Sequence, residues 1–246
     1  MWALARGPFS FYRWVVSNER HVEMARAVYD ASAEGYVGFV GVDISPATEC
    51  SVDRSLLTAF VELVAAGPVG RLADIGCGPG RVAAFLASHQ IEGRQVIGFD
   101  VSTALLDIAR KAHPTITFEE GKLTDLPVAD ASLAGAVCWY SIIHTPPDDL
   151  DEVCVELARA VVPGGWVLLA FQAGHGEGLH RDNAHGTQLP LTSYLHDPDD
   201  LIRALIRSGL QLYARAMREP ELAHELSPQA FIIARAEPRH ARTVSS

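Results

Sequence analysis

Three glycines and one aspartate form the sharpest chemistry-bearing pattern in the chain. The string LADIGCGPGR, residues 72–81, is an apolar run that passes directly into a turn holding Gly76, Cys77, Gly78 and Gly80, and then into a helical pattern. Glycine lacks a Cβ, so such a turn admits otherwise costly dihedrals and lets a ligand approach the backbone. The helix start behind it offers N–H groups with no intrahelical partner. A second apolar run ends in Asp100, twenty residues beyond Gly80, where one carboxylate can accept hydrogen bonds from both hydroxyls of a ribose. The spacing differs from two common phosphate-binding fingerprints. In G-x-G-x-x-G the third glycine would fall at Arg81 rather than Gly80, and no G-K-[ST] follows. The first difference argues against a pyrophosphate dinucleotide, and so against a nicotinamide oxidoreductase; the second excludes a P-loop.

Further along, His144 precedes Thr145-Pro146-Pro147, which stops a strand and sets up a helix start at Asp148 or Asp149. An imidazole with its reference pKa near 6.5 can take a proton from a hydroxyl or amine around neutral pH, so His144 is either a candidate general base or a satisfied structural histidine. Tyr29 and Tyr36 lie two helical turns apart and share a face, as core aromatics or as part of a lid over a ligand. Residues 173–197 carry His175, His180, His185 and His196, but no cysteine and no H-x-x-x-H pair. A metal site is therefore not expected there; a flexible loop shaping a substrate pocket is.

The elements that must position these groups follow from periodicity. After Gly67-Pro68, short apolar runs at residues 71–75, 95–100, 116–118, 134–140 and 166–171 are predicted strands. Helical patterns at 81–88, 103–112 and 150–161 fall between them, whereas 118–134 is mostly loop. This alternation is the signature of βαβ units and a mostly parallel sheet. A helix at 201–208 and two strands at 210–217 and 230–236 complete the pattern. Ahead of the sheet, residues 23–36 and 53–66 suit helices, joined by a loop around Gly38, Gly41 and Pro46. Residues 1–22 are aromatic and basic without a clear period, an N-terminal arm that is either docked or unordered. The expected layout is thus an arm at 1–22 and one domain at 23–238, comprising a helical lid (23–66), a cofactor core (69–172) and a substrate loop (173–197), with a tail at 239–246.

The string DIGCGPGR followed by GFDVS resembles motif I and the following acidic strand end of class I, Rossmann-like S-adenosylmethionine (SAM)-dependent methyltransferases of the small-molecule type. FEEGKLTDLP at 118–127, AGAVCWYSIIHTPPDDL at 134–150, the RAVVPGG turn at 159–165 and YDASAEGY at 29–36 extend the resemblance over residues 29–236. It implies a seven-stranded, doubly wound, mostly parallel α/β sheet with an N-terminal helical lid, SAM as cofactor and S-adenosylhomocysteine (SAH) as product. It also implies roles. Asp74 would help hold the methionine amine; Gly76, Cys77, Gly78 and Gly80 would line the cofactor; Asp100 would bind the ribose. Val101 and Ser102 would flank the adenine, with the Leu123 backbone at its edge. Tyr140 and Ser141 would lie near the methyl with His144 just past them, and Tyr29 and Tyr36 would close over the cofactor. Many relatives have G-D-A where this chain has Gly121-Lys122-Leu123, so the acidic partner for the adenine amine is missing, and Asp125 or a backbone carbonyl would replace it.

At 246 residues with 48% hydrophobic content the chain is long enough for one full α/β domain. A formal net charge of −10 opposes phosphodiester backbones, so nucleic acid is not an expected partner and a small molecule is. No run reaches the roughly 18 to 20 apolar residues of a membrane span. Four scattered cysteines without a C-x-x-C pair, and no signal peptide, favour the cytoplasm. The expected function is methyl transfer to an O, N or C nucleophile of a small molecule, with a non-catalytic SAM-binding scaffold or regulator as the alternative.

Overall fold

The computed structural model describes residues 8–237, with side chains from residue 19; residues 1–7 of the expected arm and the tail at 239–246 lie outside the described residues. Helices α1 (Pro8–Val40) and α2 (Ser51–Ala65) precede the sheet. Then come β1 (Arg71–Ile75), α3 (Arg81–Ser88), β2 (Val96–Asp100), α4 (Thr103–Ala112), β3 (Thr117–Glu120), β4 (Leu133–Trp139), α5 (Leu150–Ala160) and β5 (Val161–Gln172). A short hairpin of β6 (Gly178–Arg181) and β7 (Leu191–Tyr194) leads to α6 (Pro198–Arg207), β8 (Leu210–Arg218) and β9 (Gln229–Ala236).

Seven strands form one sheet in the order β3-β2-β1-β4-β5-β9-β8, parallel through β5 and antiparallel at β9 and β8. Successive side chains of a strand point to opposite faces, and β1 shows the result. Leu72 packs with Leu57, Phe60 and Val64 of α2 and Val82 and Leu86 of α3. Its neighbours Ala73 and Ile75 belong to the opposite cluster, with Val153 and Leu157 of α5 and Leu201 and Leu205 of α6. The chain runs outward from β1 to β2 and β3, then returns to place β4 on the other side. The crevice between the carboxyl ends of β1 and β4 is therefore the topological switch point at which open α/β sheets bind ligands.

Three parts differ from the sequence reading. Residues 8–22 belong to α1 rather than to a separate arm, and the helix runs on through Gly35 and Gly38, each of which costs about 1 kcal/mol relative to alanine. Tertiary contacts offset that cost. Ala25 and Val28 pack on Ala184 and Leu191 of the hairpin region, and Asp30 accepts from the Ser102 hydroxyl at 2.7 Å and the Ala104 amide at 3.1 Å at the start of α4. The helix stops at Gly41, whose left-handed φ of 75° lets its amide bond back to the Val37 carbonyl at 2.7 Å. Second, the loop expected at 173–197 contains the β6–β7 hairpin, with Leu179 opposite Ser193 and Arg181 opposite Leu191. Third, the turn expected at 159–165 is drawn into the start of β5, with a register shift against β4 between Leu133 and Gly135.

Candidate active site

The glycine turn wraps over the end of β2. The amides of Gly76 and Cys77 both donate to the Phe99 carbonyl, at 2.7 and 2.9 Å. One residue on, the Gly78 amide donates to Asp100 Oδ2 at 2.7 Å, while Oδ1 accepts from the Ser102 amide at 2.8 Å. Asp100 is thus clamped between two loops at the switch point. Burial pushes its carboxyl up from the ordinary range, and the hydrogen bonds from Ser102 and Gly78 oppose that shift. A cavity opens beside it, lined by Gly76, Gly78, Asp100, Val101 and Leu123. Tyr29, Tyr36, Tyr140, Ser141 and His144, also expected at the site, line the same cavity.

Asp74, Cys77, Gly80 and Ser102 stand behind this wall rather than on it. Gly80, the N-cap of α3, has no side chain to satisfy the exposed amides, and Asp74 accepts from the Ala83 amide at 2.9 Å in its place. Burial raises its carboxyl to about 7. Cys77 packs with Ala83, Leu106 and Phe118. Ser102 caps α4 through the Leu105 amide at 3.2 Å. Asp125 also lies off the cavity, its backbone paired with Lys122, and the adjacent Thr124 takes a place on the wall. Sequence reasoning missed Thr124, Trp139 and Leu105. It also missed His21 and Val22, which reach the cavity from the part of α1 read as an arm.

The two central glycines serve different ends. A Cβ on Gly76 would stand 2.2 Å from Cβ of Ser141, whereas one on Gly78 would meet nothing nearer than 3.9 Å. Gly76→Ala should therefore destabilise the fold by on the order of 3 kcal/mol, from the overlap and the left-handed φ, a drop in Tm of roughly 10 °C. Gly78→Ala should fold with a cost of about 1 kcal/mol yet weaken SAH by at least about tenfold, because the new methyl enters the cavity. Calorimetry on both variants checks the contrast.

The chain leaves β4 through Tyr140, whose φ of 56° is left-handed. For an aromatic residue that conformation costs on the order of 1 kcal/mol or more and is typical of functional sites. It is held by the Tyr140 amide bonding to the Ala170 carbonyl at 2.8 Å. The following turn, Ile142–His144, sets His144 against two partners. Its Nδ1 lies 2.9 Å from the Thr192 carbonyl and its Nε2 3.0 Å from the Tyr29 hydroxyl. A carbonyl only accepts, so Nδ1 carries the hydrogen and the Nε2 lone pair accepts from Tyr29 O–H. Enclosure by the protein lowers the His144 pKa to about 4 and pushes the hydroxyls of Tyr29, Tyr36 and Tyr140 up. The sequence expectation of a base titrating near neutrality thus meets a neutral ring whose lone pair is already engaged.

A second cavity lies beyond Tyr29, Tyr36, Tyr140 and His144, which border both spaces. The hairpin supplies much of its far wall through Leu179, Arg181, Leu191 and Ser193. Of the four histidines of 173–197, His185 borders it and the other three are dispersed elsewhere. His175 faces Asp197, His180 faces Asp182 and Thr192, and His185 packs on Tyr29 and Tyr36 with ring centroids at 5.2 and 5.5 Å. His196 Nε2 bonds the Ile142 carbonyl at 3.1 Å. Among the described residues no group of three or more His, Cys, Asp or Glu is placed to hold a metal. Nor is any described helix long and apolar enough to cross a membrane.

Comparisons with known proteins agree with this geometry. The family described as a methyltransferase domain matches residues 72–165, from β1 to the start of β5. An N-demethylindolmycin N-methyltransferase of Streptomyces griseus is 30% identical over 185 residues, covering 74% of this chain and 76% of the relative. An uncharacterized methyltransferase of Emericella nidulans is 27% identical, and the match spans 63% of each chain. Magnesium protoporphyrin IX methyltransferase from Synechocystis, solved with bound SAM, superposes with a TM-score of 0.63 at 16% identity over 88% of this chain and 97% of its own. The chain belongs to the class I family of SAM-dependent methyltransferases, with SAM as the family's cofactor.

The residues present fit that cofactor. Asp100 offers a clamped carboxylate at the switch point, and Gly78 keeps clear a place on the cavity wall where a Cβ would stand 3.9 Å from Leu105 and Tyr36. The buried Trp139 indole N–H borders the first cavity with no hydrogen-bond partner among the described residues.

Proposed function

We propose that this chain transfers the methyl group of SAM to a nucleophile of a small molecule, with the cofactor in the first cavity and the acceptor in the second. The observation that carries this reading is the shared border: Tyr29, Tyr36, Tyr140 and His144 face both spaces, so a donor in one and an acceptor in the other meet across a single set of side chains. Bound SAM supplies a methyl on a sulfonium already activated toward displacement, which leaves the protein chiefly to position the reactants and exclude water.

Asp100 would take the ribose hydroxyls, Val101 and Leu123 the adenine, and Gly76 and Gly78 the methionine and ribose. Asp74 would act from behind by fixing the start of α3, and Thr124, on the cavity wall, would offer the adenine edge a hydroxyl. His144, neutral and bonded at both nitrogens, orients the Tyr29 hydroxyl at the border rather than drawing off a proton. The acceptor then brings its own free lone pair, as a carboxylate, a phenolate or a neutral amine does. A net charge of −10 supports a small molecule over nucleic acid, and four buried free cysteines support a cytoplasmic location.

Saturating SAH, at about 100 times its Kd, should stabilise the protein by about 2.7 kcal/mol, a rise in Tm of roughly 5 to 10 °C. Methyl-labelled SAM with a small-metabolite panel should release SAH and label a product. No stabilisation would overturn the cofactor assignment, and stabilisation without turnover across a broad panel would favour a scaffold or regulator.

A further inference from the structure

We infer that the acceptor is an apolar organic acid, its anionic group held by Arg181 and its apolar body laid along the second cavity toward Phe39 and Leu226. This inference rests on the methyltransferase reading and deepens it by naming a substrate class.

The period of two along a strand puts Leu179 and Arg181 of β6 on one face of the hairpin, and register sets Ser193 and Leu191 of β7 opposite them. All four border the second cavity. That face presents leucines, one hydroxyl and one full positive charge. The other formal charges on the cavity wall are engaged with neighbours. Arg81 pairs with Glu49, and Glu225 takes a bidentate bond from Arg218, which also grips Asp53. Arg181 is exposed and has no ion pair or hydrogen bond among the described residues. In a chain of net charge −10, an arginine left unpaired on the inner face of a pocket is the group a carboxylate ligand would use. The planar guanidinium matches a carboxylate with two parallel hydrogen bonds.

A second, independent observation concerns the other end. Phe39 is 57% exposed and Leu226 79% exposed, and both border this same cavity. Large apolar side chains at a pocket rim gain by being covered when an apolar ligand binds. His144, bonded at both nitrogens, offers the acceptor no free lone pair, which suits a ligand that arrives ionised.

The test is calorimetric titration of the SAH-saturated protein with phenylacetate, 4-phenylbutyrate and decanoate, and with the primary amide of each, for the wild type, Arg181→Ala and Arg181→Lys. At least one acid should bind at least tenfold more tightly than its amide. Arg181→Ala should abolish that preference while SAH affinity and Tm stay as in the wild type, and Arg181→Lys should restore part of it. Amides binding as well as acids, no acid binding at all, or an unchanged preference in Arg181→Ala would overturn the inference. So would weakened SAH binding in Arg181→Ala, which would assign the guanidinium to the cofactor's own carboxylate. Failure of the wild type to bind SAH would instead sink the underlying methyltransferase reading, so the two failures are distinguishable.

Discussion

His144→Ala should lower the methyl-transfer rate by about 100-fold while leaving SAH affinity within about threefold of the wild type. The magnitude is that of misplacing a reacting group by about 1 Å, because the imidazole connects the Tyr29 hydroxyl, 3.0 Å from Nε2, to the Thr192 carbonyl, 2.9 Å from Nδ1. Its removal cuts the link from Tyr29 of α1 to the turn after β4 and from that turn to the hairpin. A positioning role and a base role part company in the pH dependence. With the His144 pKa lowered to about 4, the ring is neutral throughout the range from pH 6 to 9, so the wild-type profile has no inflection near 6.5 from this group. Tyr29→Phe, which removes only the hydroxyl, should lower the rate by about tenfold with an equally flat profile. An inflection near 6.5 that vanishes in His144→Ala would restore the general-base role.

The same shift makes a stability prediction with a definite sign. The unfolded chain protonates this histidine below about 6.5, but the folded chain does not until about 4. Its contribution is therefore present above about 6.5 and is lost as pH falls toward 4, by on the order of 3 kcal/mol. Asp74, raised to about 7 by burial, acts in the opposite direction: the folded chain protonates it before the unfolded chain does, and stability is gained as pH falls. Comparing the wild type with His144→Ala cancels the Asp74 part. The stability gap between the two proteins should narrow between pH 7 and pH 4 in urea titrations.

Asp100→Ala should weaken SAH by about 1.5 to 3 kcal/mol, or about 10- to 150-fold, the range for hydrogen bonds to a charged acceptor. The carboxylate has two duties: it clamps the Gly78 and Ser102 amides at 2.7 and 2.8 Å, and it faces the first cavity. Asp100→Asn separates them, since the amide oxygen can keep one clamp bond but the second oxygen is gone. An intermediate loss is expected. Unchanged affinity in both variants, by calorimetry, would remove Asp100 from the ribose site.

Much of this was legible in the sequence where local signals are strong. Helices α3 and α4 run over the residues predicted, because Gly80 and Ser102 mark their starts and the apolar period is regular. The strand that ends in Asp100 and the turn beginning at Gly76 placed the first cavity, since a βα connection at a sheet's centre has few geometries. Helix α1 was harder: its first fifteen residues show no clear period and Gly38 read as loop, and what anchors the helix is contact with Ala184 and Leu191, more than 140 residues away in the chain. For the same reason His21 and Val22 gave no sign of reaching the cavity. The hairpin strands, at four residues each, are too short for a period of two to stand out, and β6 carries both a glycine and a histidine. Asp74 and Ser102 show another limit. Both types suit a ligand and suit a helix cap equally well, and only the positions of the Ala83 and Leu105 amides decide between the two.

The claim that donor and acceptor meet across Tyr29, Tyr36, Tyr140 and His144 is tested most directly by nuclear Overhauser spectroscopy of the protein with SAM carrying a carbon-13 methyl group. The account predicts cross-peaks from that methyl to ring protons of Tyr29 or Tyr140 and to His144, with ribose protons close to Gly78. Cross-peaks from the methyl only to residues that border the first cavity alone, such as Val101 or Leu105, would place the reacting group away from the second cavity and contradict it.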